Sequence, residues 1–118
     1  MKIELKWSKL IQLRDASKDN LIYGIDAIES IPKVPGIYVF GRKRGEEFIP
    51  IYIGQALRLG GRIRRQLNNV RLMMGLKAAS GRKRFITYAE FIGKPGQETA
   101  KALNTIERSL IKYALDLC

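Results

Sequence analysis

Two short runs constrain this chain more than any other stretch: Gly36-Ile37-Tyr38-Val39-Phe40 and Phe48-Ile49-Pro50-Ile51-Tyr52-Ile53-Gly54. Both alternate and concentrate β-branched and aromatic residues, a pattern that suits half-buried strands. Between them lies Arg42-Lys43-Arg44-Gly45-Glu46-Glu47, a charged turn whose length predicts an antiparallel hairpin. Pro50 has no N–H to give to a ladder, so it places the second strand against solvent or at a bulge. Each strand carries one tyrosine, and pairing brings the hydroxyls of Tyr38 and Tyr52 to one side of the sheet.

The remaining elements follow from periodicity. Leu59, Ile63, Leu67, Val70 and Met74 recur at helical spacing, which predicts one helix from Arg62 to Met74 with a buried stripe and a neighbouring stripe of Arg62, Arg65 and Asn69. Met73-Met74 reads as core filling. Phe85 to Phe91 reads as a third strand, and Gly93-Lys94-Pro95-Gly96 breaks the chain before a last helix from Gln97 to Leu117. The expectation is an α+β fold with a small three-stranded, mainly antiparallel sheet flanked by helices. Residues 1–34 are expected to form a helical arm packed outside it, with Ser8 capping one short helix and Asp19 or Asn20 opening another turn. Pro32 and Pro35 enforce an extended stretch before the first strand. At 118 residues the chain suits one domain, 35–118 holding the chemistry and 1–34 supporting it.

Composition then excludes whole classes of chemistry. There is no histidine, which removes Ser-His-Asp and Cys-His catalysis, zinc fingers and any imidazole base. The one cysteine, Cys118, rules out an internal disulfide and a thiolate metal cage. Acid–base work is left to Tyr, Lys or the carboxylates. No apolar run approaches a membrane span and Met1 to Lys6 lacks a signal-peptide core, so the expected location is intracellular, cytoplasmic or nucleoid-associated.

A net charge of +11 calls for a polyanionic partner. No acidic residue occurs between Glu47 and Glu90, where Arg58, Arg62, Arg64, Arg65, Arg71, Lys77, Arg82, Lys83 and Arg84 fall. Such a segment attracts phosphate backbones in a salt-dependent way. The competing readings are a solvated face, a ribosomal-type patch or a membrane-surface patch; the absence of a basic amphipathic helix with an aromatic face favours nucleic acid over membrane. In the last helix Glu107 falls among Leu103, Ile106, Leu110 and Ile111. A carboxylate there loses hydration unless a cation compensates, which leaves a structural ion pair or a divalent metal as its partner.

Gly36-Ile37-Tyr38 and Tyr52-Ile53-Gly54, with Arg62 downstream and Glu107-Arg108-Ser109-Leu110-Ile111-Lys112 beyond, resemble the GIY-YIG nuclease family over about residues 35–117. That resemblance implies the GIY-YIG endonuclease fold and a Mg²⁺- (or Mn²⁺-) dependent DNA endonuclease. It implies Tyr38 as general base, Tyr52 as a second hydroxyl positioning water or phosphate, Arg62 as phosphate clamp and Glu107 as metal ligand. Three positions depart from the pattern: Gln66 stands where many members have histidine, Gln55 where some have lysine, and Leu117-Cys118 ends the sequence before the family's late asparagine. The last departure is compatible with a catalytic fragment or with a compact variant. No small-molecule cofactor is expected, and specificity is left to the arm, the loops, or further domains or subunits.

The chemistry these residue types support is phosphodiester hydrolysis. A phenol of ordinary pKa about 10 takes a proton from water only where positive charge stabilises its phenolate. Arg58, Arg64, Arg65, Arg71, Arg82, Lys83 and Arg84 are the expected contacts to DNA. The alternative is a nucleic-acid-binding domain that keeps the fold without turnover.

Overall fold

The computed structural model describes residues 3–79, 81, 83–93 and 96–117, with side chains to 114. The architecture is α+β: a mostly antiparallel sheet with three α-helices, and two single 3-10 turns, Ser17–Asp19 and Ile28–Ser30, in the N-terminal segment. In chain order the elements are β1 (Glu4–Trp7), β2 (Ile11–Gln12), β3 (Arg14–Asp15), β4 (Tyr23–Gly24), β5 (Gly36–Arg44), β6 (Glu47–Ala56), α1 (Leu59–Leu67), α2 (Val70–Ala78), β7 (Arg84–Ile92) and α3 (Thr99–Leu117). The sheet runs β1-β7-β5-β6 with β2 also on β7, while β3 and β4 form a separate two-stranded pair.

The hairpin forms as its composition predicts. Tyr38 faces Gly54 and Phe40 faces Tyr52, with the register shifting between Phe40 and Gly41. Opposite that shift lie Pro50 and Tyr52, so Ile51 is the extra residue of a bulge on an edge strand, where a proline's missing N–H costs no ladder bond.

The N-terminal segment departs from the expected helical arm. Residues 4–7 and 11–12 pair with β7 as strands and widen the expected three-stranded sheet to five. Between them Ser8 continues the edge: its N–H donates to the Tyr88 carbonyl at 2.7 Å, and its Oγ accepts from the Tyr88 N–H at 3.1 Å. The helical reading failed because a hydroxyl that can cap a helix can equally satisfy a strand's backbone. Leu13, Ile25 and Ile31, all before the expected boundary at 34, share one core cluster with Tyr38 and Phe40.

The expected helix from Arg62 to Met74 is two helices broken at Asn68-Asn69. The Asn69 side chain accepts from the Leu72 N–H and starts α2 on a new axis. Phase is reset there, so Val70 and Met74, expected inside, are 64% and 59% exposed, while Met73 and Leu76 are buried.

Alternation along β5 sends its side chains to opposite layers. Tyr38 and Phe40 join Leu59, Ile63, Leu67, Met73 and Leu76 beneath α1 and α2. Ile37 and Val39 join Ala102, Leu103 and Ile106 beneath α3. Among the described residues no helix is long and apolar enough to cross a membrane.

Candidate active site

The two motif tyrosines point into the same layer and differ sharply in solvent contact. Tyr38, in the central strand, is 1% exposed, whereas Tyr52, on edge strand β6, is 37% exposed. Their ring centroids are 6.1 Å apart with planes tilted by 31°. Gly54 makes the approach possible: a Cβ there would collide with the Tyr38 ring and hydroxyl. Gly36 has a different reason, since a Cβ would run into the Ala89 carbonyl of the neighbouring strand. Both motif glycines therefore serve close approach, one for a phenol and one for a backbone.

Helix α1 completes the cluster. Its first N–H groups are taken by the extended stretch before β5: Leu59 donates to the Val34 carbonyl at 2.9 Å and Gly60 to that of Pro32 at 3.0 Å. The extended stretch from Pro32 to Val34 thus seats the helix that carries Arg62 and Gln66. Gln66, buried, donates from Nε2 to the Tyr38 hydroxyl at 2.7 Å and reaches the Tyr52 hydroxyl at 3.5 Å. Asn69 in turn donates from Nδ2 to Gln66 Oε1 at 3.2 Å.

Burial pushes the Tyr38 phenol up to about 12; the Gln66 hydrogen bond and the positive charge of Arg62 pull it the other way, and Tyr52 adds to the rise. Desolvation wins because a phenolate in the interior gives up hydration that one neutral amide and a surface guanidinium do not replace.

Arg62 is exposed, one turn before Gln66, and lines a cleft of about 260 Å³ with Ala56, Leu57, Arg58, Gly61 and Arg65. Arg64 lies on a second cleft with Glu29 and Lys33, and Arg71 is exposed on α2. None of Arg58, Arg62, Arg64, Arg65 and Arg71 forms an ion pair with a described residue, which leaves their charge available to an external anion. Lys83 is exposed; Arg82 lies outside the described residues.

Arg84 corrects the expectation of a DNA contact. It is 2% exposed, and its guanidinium donates to the carbonyls of Leu76 at 2.6 Å, Gly81 at 3.0 Å, Lys83 at 3.2 Å, Lys77 at 3.3 Å and Ala79. A forked five-donor group spent on the carbonyl end of α2 and the turn after it has none left for phosphate.

Glu107 stands apart from the phenols. It belongs to α3, whose buried face packs on Ile37 and Val39, the opposite side of β5 from Tyr38. The carboxylate is half-buried and makes no hydrogen bond or ion pair with a described residue, so the structural ion pair, one of the two partners weighed for it, is absent among those residues. Glu107 flanks the apolar stripe on the same side as Asn104, which accepts a hydrogen bond from Gln55 of β6. That flank faces the edge strand carrying Tyr52, so the approach from Glu107 to the tyrosine layer runs around the free edge of β6.

Among the described residues no group of three or more acidic, His or Cys side chains could hold a metal ion. One unpartnered carboxylate beside amide groups fits a hard divalent ion that keeps most of its waters and shares phosphate oxygens, and does not fit a structural metal cage.

The structure thus brings together Tyr38 and Tyr52, with Arg62 beside them, and leaves Glu107 in the other layer. Gln66 and Asn69 join the site without having been assigned to it from sequence, although Gln66 lies a turn beyond Arg62 and Asn69 a further turn on. Comparison with protein-family models, curated proteins and solved structures returns no match to this chain.

Proposed function

We propose that this protein is a metal-dependent endonuclease that hydrolyses phosphodiester bonds in DNA, of the GIY-YIG type. The observation that carries the reading is the convergence of two phenols from adjacent strands on a buried amide, with Arg62, whose charge reaches Tyr38, lining a cleft together with Arg58 and Arg65. Two tyrosines held at such a distance with one buried and one open make poor use of a plain packing core, and good use of a site where one phenol meets water and the other holds it in place.

The exposures divide the roles. Tyr38 is sealed beneath α1 and its phenol is hard to ionise, so the base role implied for it by the resemblance passes to Tyr52, which meets solvent. Tyr38 then acts as a hydrogen-bonding support. Arg62 offers a forked pair of donors to the scissile phosphate, and Arg58 and Arg65 extend the positive cleft along the backbone. Glu107 is the carboxylate that would hold Mg²⁺ or Mn²⁺. Such an ion, when bound, stabilises negative charge on the phosphate and on the leaving oxygen.

A second reading, a nucleic-acid-binding domain without turnover, is favoured by the placement of Glu107 across the sheet from the phenols. Plasmid DNA incubated with Mg²⁺ separates the two. The nuclease reading expects nicked or linear product from the native protein. It expects a loss of about a hundredfold or more for Arg62→Ala and for Glu107→Ala, with DNA retention in a gel shift little changed in the latter. Tight DNA binding with no cut product under any divalent ion would replace the first reading with the second.

A further inference from the structure

A row of hydrogen bonds runs from the start of α2 to the motif tyrosines, and one backbone group dictates its direction. The Leu72 N–H can only donate, and it donates to Asn69 Oδ1 at 3.1 Å. That contact leaves the Asn69 amide nitrogen facing the other way, where it donates to Gln66 Oε1 at 3.2 Å. With its oxygen so engaged, Gln66 presents Nε2 to the Tyr38 hydroxyl at 2.7 Å. An amide side chain rotated half a turn would put an oxygen where the nitrogen is, so orientation decides whether the phenol oxygen receives a proton or must give one.

We propose that Asn69 is a positioning residue for the tyrosine pair: by coupling the α2 N-terminus to Gln66 it locks the Gln66 amide as a hydrogen-bond donor to Tyr38. This rests on the reading of the tyrosines as the reactive groups. The Tyr38 oxygen, held as an acceptor by Gln66, keeps its own O–H free to donate toward Tyr52, the phenol in contact with solvent. A hydrogen bond donated to a phenol that is giving up its proton stabilises the phenolate, and the chain supplies that donor from a helix end that touches no substrate. The helix break at Asn68-Asn69 then has a use beyond packing, because an unbroken helix would have no free backbone N–H at this point to orient the asparagine.

The test separates orientation from fold. Asp and Ser both cap helices well, so Asn69→Asp and Asn69→Ser should keep the α2 start and a near-native thermal midpoint. Neither can donate an amide proton to Gln66. Asp places an acceptor opposite Oε1 and turns the Gln66 amide round; Ser, being shorter, releases it. Nuclear magnetic resonance of the Gln66 side-chain amide, assigned by its disappearance in Gln66→Leu, is expected to show resolved, exchange-protected protons in the native protein and averaged, fast-exchanging or displaced ones in both variants. Cleavage of plasmid DNA with Mg²⁺ should fall about tenfold in Asn69→Asp, the scale of one hydrogen bond to a charged group, with its pH profile displaced to higher pH; Asn69→Ser should show a smaller displacement. Unchanged Gln66 amide signals in both folded variants would overturn the proposal, as would an unchanged pH profile in a native protein that does cut. A native protein that cuts no DNA would sink the nuclease reading alone, since the amide signals still report whether Asn69 orients Gln66.

Discussion

The two faces of the central strand are built differently. Beneath α1 and α2 the layer contains the buried polar groups Tyr38, Gln66 and Arg84, each tied into hydrogen bonds, while the layer beneath α3 packs mainly aliphatic and aromatic groups around Ile37, Val39, Leu103 and Ile106, with Thr87 bonded to Ser8 as its buried polar side chain among the described residues. Apolar contacts are non-directional and tolerate repacking, but a buried polar group is worth having only when its partners are in place. The difference teaches where a site can be built: the face whose geometry is held by hydrogen bonds also holds two phenols at a set distance, and the opposite face holds the sheet together.

The largest expected effect is on the polar face. Arg84→Met keeps much of the side-chain volume and takes the guanidinium donors away from the carbonyls of Leu76, Lys77, Ala79, Gly81 and Lys83, leaving Leu76 only the Ala79 N–H; it should cost about 4 kcal/mol in urea unfolding. Leu103→Ala, a plain cavity beneath α3, should cost about 3 kcal/mol and leave cleavage per folded molecule as it was. If the second change outweighed the first, the contrast between the faces would fail.

A pH dependence sharpens it further. The folded-state pKa of Tyr38, about 12, lies above its ordinary value of 10.0, so the folded protein holds that proton more tightly than the unfolded chain. The stabilisation is complete below pH 10 and is lost as pH rises through about 12, a fall of about 2–3 kcal/mol. Denaturation midpoints followed across that range should show this loss in the native protein and not in Tyr38→Phe, which has no proton to release. The smallest effect is expected at Tyr88→Phe, where the hydroxyl makes no described hydrogen bond: under about 0.5 kcal/mol and no change in cleavage.

Much of the fold was legible because it is written in short-range patterns. The hairpin, the bulge at Pro50, strand β7 and helix α3 each follow from alternation or helical spacing within a single segment. Strand β1 was legible and was misread: Ile3, Leu5 and Trp7 alternate with Lys2, Glu4 and Lys6, the period of a half-buried strand. Strand β2 was not, because it is two residues long and its partners in β7 lie far along the chain. Burial of charge was equally hidden: Arg82, Lys83 and Arg84 form one basic run, yet Arg84 is enclosed by carbonyls from α2 and its turn. Gln66 looked like a gap in a pattern and turned out to be the group on which both phenols converge.

By itself the sequence determined which residues carry strand and helix periods, that no imidazole is present for proton transfer, and that positive charge is concentrated between Glu47 and Glu90. Only the tertiary structure decided which tyrosine is sealed and which is open, that Glu107 lies in the layer opposite the phenols, and that the Asn69 side chain donates to Gln66. The physical reason is that periodicity assigns a side chain to one face of its own element, whereas exposure and hydrogen-bond direction depend on what the rest of the chain lays against that face.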